Sequence, residues 1–287
     1  MISRKTKLVP YLFIFPNVLI VVLFAIYPLL ANLVMSFTTG AIGVSQFNWF
    51  DHYLIMLNDR YFRIALLNTL YFVFLMTLPT VFLSLVLAIG LNRIRLMKST
   101  LRAIYLLPHL FSWVVVGLIW RWMYSSNNGI LNSILMSLDF RTSRWILDPK
   151  LTLPCLALTG IWAGVGYYAV IFLAGLQSVP SGLYEAAKID GANSFQQFRF
   201  ITVPALRPII ILVVNLVVIS SFRVFDQIFV MTGGGPGRAS FVMVLYIYIK
   251  GMQEGNLGYA SALSVVFFLV LLLVTVILRK LTSAAEE

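Results

Sequence analysis

The chain has 287 residues, of which 60% are hydrophobic and only 11% charged, and its mean hydropathy is +0.93. A soluble domain is typically about half apolar and about a quarter charged, so this composition indicates a membrane protein. The net charge of +11 does not indicate nucleic-acid binding, because the basic residues are spread over short loops between hydrophobic runs. The single cysteine, Cys155, excludes an intrachain disulfide and a thiolate metal centre.

Long apolar runs with few or no charges predict six transmembrane helices, since about 20 apolar residues cross the hydrocarbon core and an ionised side chain there is costly. In chain order these spans cover about residues 8–37, 67–91, 103–120, 151–176, 208–230 and 258–278. Basic residues precede the first run, as in a secretory signal, but the run is too long and lacks a small-residue cleavage pattern. We therefore predict an all-α, polytopic membrane protein with one transmembrane domain over residues 1–287.

The distribution of lysine and arginine predicts the orientation of these spans. More of these residues fall on the side of the N-terminus, and the basic loop Arg93–Arg102 between the second and third spans contributes most. Because positive loops favour the cytoplasm, both termini and the loop at residues 177–207 are predicted to be cytoplasmic. Between the third and fourth spans, apolar residues from Ile130 to Leu138 recur at helical spacing and predict a short interfacial helix on the outer side.

The chain shows no pattern of catalytic or cofactor-binding residues. Its glycine cluster, Gly233–Ser240, contains no lysine, so it predicts a tight turn and not a phosphate-binding loop. His52 and His109 lack the spacing of metal ligands. The apolar spans contain neither paired carboxylates nor a Ser, His and Asp set. We therefore predict a protein that is not an enzyme and that holds no metal or cofactor of its own.

One polar segment, LYEAAKIDGANSFQQFRFITVPAL, interrupts this apolar chain between the fourth and fifth spans. Ser181 is a candidate N-cap for a short helix that continues to Lys188. Asp190 and Gly191 then predict a break, because Asp bonds its own backbone and Gly accepts a positive φ.

A second short helix is predicted after this break, capped by Asn193 or Ser194 and running to Arg199. The two helices together have the small residues and exposed charges of an element that docks into a partner's groove. An ordinary solvated loop between two spans explains the same residues equally well.

The segment resembles the EAA motif of the inner-membrane subunits of binding-protein-dependent ABC importers. That motif reads E-A-A, three residues, G, nine residues, then I-x-L-P, and Val203 here replaces its usual leucine. The stretches LRAIYLLPHLFSWVVVGLIWRWMY, LQSVPSGLYEAAKIDGA and FDQIFVMTGGGP are similar to the carbohydrate-uptake branch of the family, near the maltose and multiple-sugar permeases. The residues that match the motif are Glu185, Ala186, Ala187, Gly191, Ile201 and Pro204.

This resemblance implies a sugar permease of a bacterial or archaeal cell membrane that moves its substrate by alternating access. Such permeases pair with a second homologous permease, two ATPase subunits that bind ATP and Mg, and an extracytoplasmic sugar-binding protein. The family's coupling helix lies in the EAA loop, residues 177–207 here. The resemblance thus assigns the ATPase contact to Glu185, Ala186, Ala187, Asp190 and Gly191.

The fifth span carries the candidate substrate residues. Arg223 and Asp226 are three residues apart, which places them on one face of a continuous helix, and ionisable residues within a span are functional by default. Phe222 and Phe225 flank them and add aromatic faces suited to a sugar ring. The alternative is that Arg223 and Asp226 only neutralise each other.

In the fourth span, four residues resemble the family's second patch of cavity residues: Trp162, Gly164, Gly166 and Tyr167. A packing role explains these residues equally well, and Gly160 with Gly164 forms a GxxxG helix-packing pattern.

Two alternative functions remain open from the sequence, one with a different substrate and one with a different source of energy. Glycerol phosphodiesters or sugar phosphates are an alternative because Arg223 can pair with an anion. An ion-coupled secondary transporter is favoured less, since it needs acidic residues in several spans and Asp226 is the only one well within a span.

Overall fold

A computed structural model describes residues 4–39, 46–94 and 98–283 of the chain. Two compact units are present: Met1–Arg60 with Tyr246–Val270, and Tyr61–Leu245 with Leu271–Glu287. The middle of the predicted basic loop, residues 95–97, lies outside the described residues.

Almost every described element is helical. Two-residue strands β1 (Thr38–Thr39) and β2 (Gln46–Phe47) pair antiparallel, and π-helical turns occur at Val22–Ile26, Phe198–Thr202 and Ile249–Gln253. A 3-10 turn covers Trp145–Leu147. In chain order the α-helices are α1 (Arg4–Val21), α2 (Tyr27–Met35), α3 (Asp51–Asn58), α4 (Arg60–Arg93), α5 (Lys98–Leu110), α6 (Trp113–Met123), α7 (Ile130–Ser137), α8 (Thr152–Ser178), α9 (Ser181–Ile189), α10 (Ser194–Gln197), α11 (Val203–Phe222), α12 (Asp226–Met231), α13 (Met243–Tyr248) and α14 (Leu257–Ser283).

Five helical stretches among the described residues are long and apolar enough to cross a membrane, and a bent pair of helices makes a sixth possible span. This confirms the predicted all-α membrane fold. Several stretches extend beyond the predicted spans because charged residues end an apolar run without ending a helix. The five stretches are Phe13–Met35, Arg60–Arg93, Thr152–Ser178, Ser194–Phe222 and Leu257–Lys280.

The predicted third span, residues 103–120, is not one continuous helix. It is divided between α5 and α6, which meet at an angle of 90°. Pro108 lies in the last turn of α5, and Ser112 caps α6 by accepting a hydrogen bond from the Val114 N–H at 3.3 Å. The break is thus made by a residue that removes a helical donor and a residue that starts a new helix.

The predicted fifth span, residues 208–230, is also interrupted. Helix α11 ends at Phe222, and α12 begins at Asp226. Between them the backbone leaves the helical region, with φ −141° and ψ −65° at Phe225. The spacing of Arg223 and Asp226 predicted that they lie on one face of a continuous helix. The break between α11 and α12 shows that they do not.

Helix α8 is the most buried candidate span of the second unit, with 61% of its apolar window covered. Its small residues allow neighbouring helices to approach closely. A Cβ on Gly166 would lie 1.7 Å from the carbonyl oxygen of Tyr105 on α5, and one on Gly160 would lie 2.8 Å from the sulfur of Met76 on α4. Gly164 faces the ring of Tyr168 on its own helix. Of the GxxxG pair, only Gly160 thus has its nearest contact on another helix.

In the first unit, hydrogen bonds around one carboxylate connect three separate parts of the chain. Asp59, just after α3, accepts hydrogen bonds from the hydroxyls of Tyr246 and Tyr259, the second at 2.6 Å. Burial, together with the negative charge of Asp59, raises the pKa of Tyr246 above its usual value. Tyr246 therefore stays protonated and remains a hydrogen-bond donor to the carboxylate.

Candidate functional site

A cavity of about 120 Å³ lies at the break between α11 and α12. Three predicted substrate residues line it: Arg223, Phe225 and Asp226. Helix α4 contributes Phe72 and Met76, and α6 contributes its first residue, Trp113. The remaining lining residues are Ser220, Ser221, Val224 and Gln227.

The charged side chains in this cavity do not form an ion pair with each other. Arg223 and Asp226 are both exposed, and the salt bridge found within the described part of the chain joins Lys250 to Glu254. Mutual neutralisation, the alternative role for the two residues, is therefore not observed here. Both retain hydrogen-bonding capacity toward the cavity, the guanidinium as a donor and the carboxylate as an acceptor.

The polar residues around the two charges hold the helix break in place. Gln227 is 3% exposed and donates from Nε2 to the Leu156 carbonyl oxygen at 2.6 Å, which fixes α12 to α8. Ser220 contacts the hydroxyl of Tyr168 at 3.2 Å, and Ser221 donates to the Val217 carbonyl oxygen at 2.7 Å. The residues on both sides of the interruption are thus held by hydrogen bonds, of which those of Ser221 and Gln227 are buried.

The other predicted substrate residues do not line this cavity. Phe222 is 1% exposed and packs in the core. Trp162 is 47% exposed, and its ring lies 5.5 Å from that of Trp120. Tyr167 stacks on His109 at 4.3 Å between ring centroids, and Gly164 faces Tyr168 as described above. None of these fourth-span residues thus lines the cavity that holds Arg223 and Asp226.

Sequence reasoning did not select the cavity residues that come from other helices, which are Phe72, Met76 and Trp113. Phe72 and Met76 are four residues apart on α4, a spacing that is typical of ordinary apolar packing and does not indicate a cavity. Trp113 had a detectable signal, because it follows the cap Ser112 and therefore starts a new helix at the break in the third span.

The predicted coupling residues lie on and just after α9. Glu185 and Ala186 are exposed, Ala187 is half-buried, and Asp190 is the C-cap. Gly191 has φ +78°, as its position after Asp190 predicted. Its N–H donates to the Lys188 carbonyl oxygen at 3.1 Å, and the next N–H, of Ala192, donates to the Ala187 carbonyl oxygen at 2.8 Å. These two bonds form a Schellman motif, which ends α9 at the predicted residue.

Two details of this segment differ from the prediction. Ser181 is not an N-cap but the first helical residue, because the N-cap position is taken by Pro180 and no side chain caps the helix. The second helix does not stop at Arg199 but continues through the π-helical turn Phe198–Thr202 into α11. Its predicted cap is confirmed, since Asn193 and Gln196 form a reciprocal capping box at 2.8 and 2.9 Å.

The segment also exposes apolar side chains that sequence reasoning did not select. Ile189 is 87% exposed, Phe195 70% and Leu183 50%. On the inner side, the hydroxyl of Tyr184 contacts the Thr202 hydroxyl at 3.0 Å and ties α9 to the π-helical turn. One side of the segment is therefore anchored to the protein, and the other presents apolar groups of the kind found at protein interfaces.

Neither site has the residues of a metal centre. Within the described ranges, no group of three or more His, Cys, Asp or Glu side chains is placed to hold an ion.

Comparison with known proteins matches nearly the whole chain. The family described as "Binding-protein-dependent transport system inner membrane component" matches residues 6–285. The arabinooligosaccharides transport system permease protein AraP of Bacillus subtilis is 34% identical over 281 residues, which cover 97% of this chain and 90% of that protein. The trehalose/maltose transport system permease protein MalF of Thermococcus litoralis is 33% identical over 279 residues, with 96% and 94% covered.

A solved structure has the same fold. It is the crystal structure of a bacterial ABC transporter involved in the import of the acidic polysaccharide alginate, and one of its chains superposes with a TM-score of 0.88. The match covers 99% of this chain and 98% of that one at 23% identity, so it supports the fold and not the substrate.

The chain is an integral membrane permease, and it belongs to the family of inner-membrane components of binding-protein-dependent transport systems. It is thus a translocation subunit of an ABC importer and not an enzyme. The resemblance found in the EAA segment is confirmed.

Proposed function

We propose that this permease imports sugars or oligosaccharides by alternating access, with ATP hydrolysis by separate subunits coupled through α9. The observation that carries the substrate class is the cavity at the break between α11 and α12, which combines a guanidinium, a carboxylate and aromatic rings. Sugars need hydrogen-bond donors and acceptors for their hydroxyls and an apolar surface for the face of the ring. The names of the relatives, which transport arabinooligosaccharides and trehalose or maltose, support the same class.

The size of the cavity supports a change of conformation during transport. Ligand sites in proteins typically have volumes of about 300–1,000 Å³. The cavity here has about 120 Å³ and is therefore too small for an oligosaccharide. Its walls must separate before a sugar can pass, and the helix breaks beside Trp113 and Phe225 are places where they can do so.

The runner-up substrates are glycerol phosphodiesters and sugar phosphates. Arg223 favours them, but Asp226 lines the same small cavity and repels an anion. Neutral sugars can use both residues, so they fit the cavity better. The sequence had left an ion-coupled secondary transporter open, and membership of the binding-protein-dependent family excludes it.

For coupling, we propose that α9 docks into a cleft of an ATPase subunit in the cytoplasm, where both termini also lie. The exposed apolar groups of Leu183, Ile189 and Phe195 supply contact area, and Glu185 supplies charge. The complete transporter then contains a second homologous permease, two ATPase subunits and an extracytoplasmic sugar-binding protein. This chain itself holds neither ATP nor Mg.

The test is transport by the complete complex in proteoliposomes with Asp226→Asn. A hydrogen bond to a charged group is worth about 1.5–3 kcal/mol, so uptake at limiting sugar should fall by roughly ten- to a hundredfold. Assembly with the ATPase should be unchanged. Asp139→Asn is the matched control, because Asp139 is exposed in a loop with φ 58°, a conformation that asparagine tolerates. Normal uptake by the Asp226→Asn complex would reject the cavity as the sugar path.

A further inference from the structure

A second cavity, of about 470 Å³, lies between the end of α4 and the segment from α9 to the π-helical turn. One part of its wall is apolar and includes Phe82, Val86 and Ile89. Another part is polar and includes Arg93, Ser194 and Gln197. None of the residues described as lining it is acidic.

The pattern along α4 explains how these two parts are arranged. Phe82, Val86, Ile89 and Arg93 follow one another at intervals of four, three and four residues, which places them along one face of the helix. The apolar members lie within a candidate membrane span, and Arg93 is in its last turn. The cavity is therefore apolar toward the middle of the span and basic at its end.

We propose that this cavity binds an anionic phospholipid, with an acyl chain along Phe82, Val86 and Ile89 and the phosphate at Arg93. Basic pockets beside membrane helices on the cytoplasmic side recognise anionic headgroups, and apolar walls accommodate the chains. Phe82 is 64% exposed and Val86 50%, so the apolar wall is open for a chain to lie against. A free phosphate could contact Arg93 but would leave this wall uncovered.

The lipid would contact the same segment that we propose to couple with the ATPase. Tyr184 of α9 lines the cavity, and so does Thr202, to which its hydroxyl bonds. An occupied cavity would therefore brace α9 from the membrane side. We expect anionic lipid to raise sugar-stimulated ATP hydrolysis. This inference rests on the proposed function, because it uses the cytoplasmic orientation of the segment.

The experiment measures lipid retention by the purified complete complex, using native mass spectrometry after exchange into mixtures of phosphatidylglycerol and phosphatidylcholine. The wild-type complex should retain phosphatidylglycerol preferentially. Arg93→Gln should lower that preference about fivefold, the equivalent of about 1 kcal/mol for one basic side chain near an anionic surface. Arg199→Gln is the matched control, because Arg199 is exposed on the same segment but does not line the cavity.

A second variant tests the apolar wall. Val86→Trp places a large side chain against the apolar wall, where the acyl chain is proposed to lie. It should therefore reduce retention of both lipids without removing the preference for phosphatidylglycerol. Equal retention by wild type and Arg93→Gln would overturn the proposal. An equal loss in Arg199→Gln would also overturn it, because the effect would then come from general surface charge.

Two further outcomes would identify another occupant and overturn the lipid. One is displacement of phosphatidylglycerol by millimolar inorganic phosphate, which would indicate a soluble anion. The other is a photo-crosslink from position 86 that reaches a partner subunit and no lipid. Lipid retention is measured without sugar, so it can succeed where the sugar assignment fails. Conversely, a complex that transports sugar equally well in both lipids and retains neither would reject the lipid site alone.

Discussion

The turn at Gly191 permits a quantitative test of the coupling segment. Gly191 has φ +78°, and a Cβ added there would meet nothing within 4 Å, so alanine would be strained by its backbone and not by a collision. The left-handed conformation costs an L-residue about 1–2 kcal/mol. Gly191→Ala should therefore lower the ratio of closed to open Schellman turn by roughly 5- to 30-fold. If the ATPase binds only the closed turn, its apparent affinity should fall by up to the same factor, in proportion to the closed fraction that is lost.

The assay titrates purified ATPase subunits onto proteoliposomes that contain the permease pair and measures the bound fraction. Gly191→Asn should bind nearly as well as wild type, because asparagine adopts the left-handed conformation more readily than other residues with a side chain. Gly182→Ala is the matched control, since Gly182 is helical, lies in the first turn of the same helix and also has open space around it. Equal ATPase binding by Gly191→Ala and Gly191→Asn would show that coupling does not need the left-handed turn.

Two more predictions concern orientation and packing. An impermeant thiol reagent applied outside should label Asn127→Cys but not Ser194→Cys, and both positions are exposed. The natural Cys155 is buried and should stay unlabelled. The reverse labelling pattern would mean that the proposed topology is inverted. Gly166→Ala should prevent assembly of the permease, because its Cβ would overlap a backbone carbonyl, whereas Gly90→Ala meets nothing within 4 Å and should assemble normally. The measurement is the yield of folded permease in detergent gel filtration for each variant. Equal yields from Gly166→Ala and Gly90→Ala would mean that assembly does not require the close approach of Gly166 to Tyr105.

Local signals in the sequence were sufficient for the coupling segment. Asp190 followed by Gly191 predicted the end of α9, and Asn193 predicted the start of α10, because turns and caps depend on a few neighbouring residues. The cap at Ser181 failed by one position, since proline at 180 already supplied an extended backbone there.

The cavity at the break between α11 and α12 could be predicted only in part. The mean hydropathy of an apolar run does not reveal a break in the backbone inside it, so the bend after α5 and the interruption after Phe222 were both missed. The sequence also did not tell whether Trp162 lines the same cavity as Arg223. Residues on different helices meet according to how those helices pack, and Trp162 packs on Trp120 instead.

The close approach of Gly166 to Tyr105 also constrains how the permease can move. Two backbones in direct contact cannot slide past each other without losing that contact, so α5 and α8 should shift as one rigid body. Rotation is then concentrated at residues 111 and 112, which lie outside both helices and where α5 meets α6 at 90°. This two-residue connection directly precedes Trp113. A small rotation about it would therefore move the indole ring that lines the cavity at the break between α11 and α12. The hinge and the gate of the sugar path would then be consecutive residues of the chain.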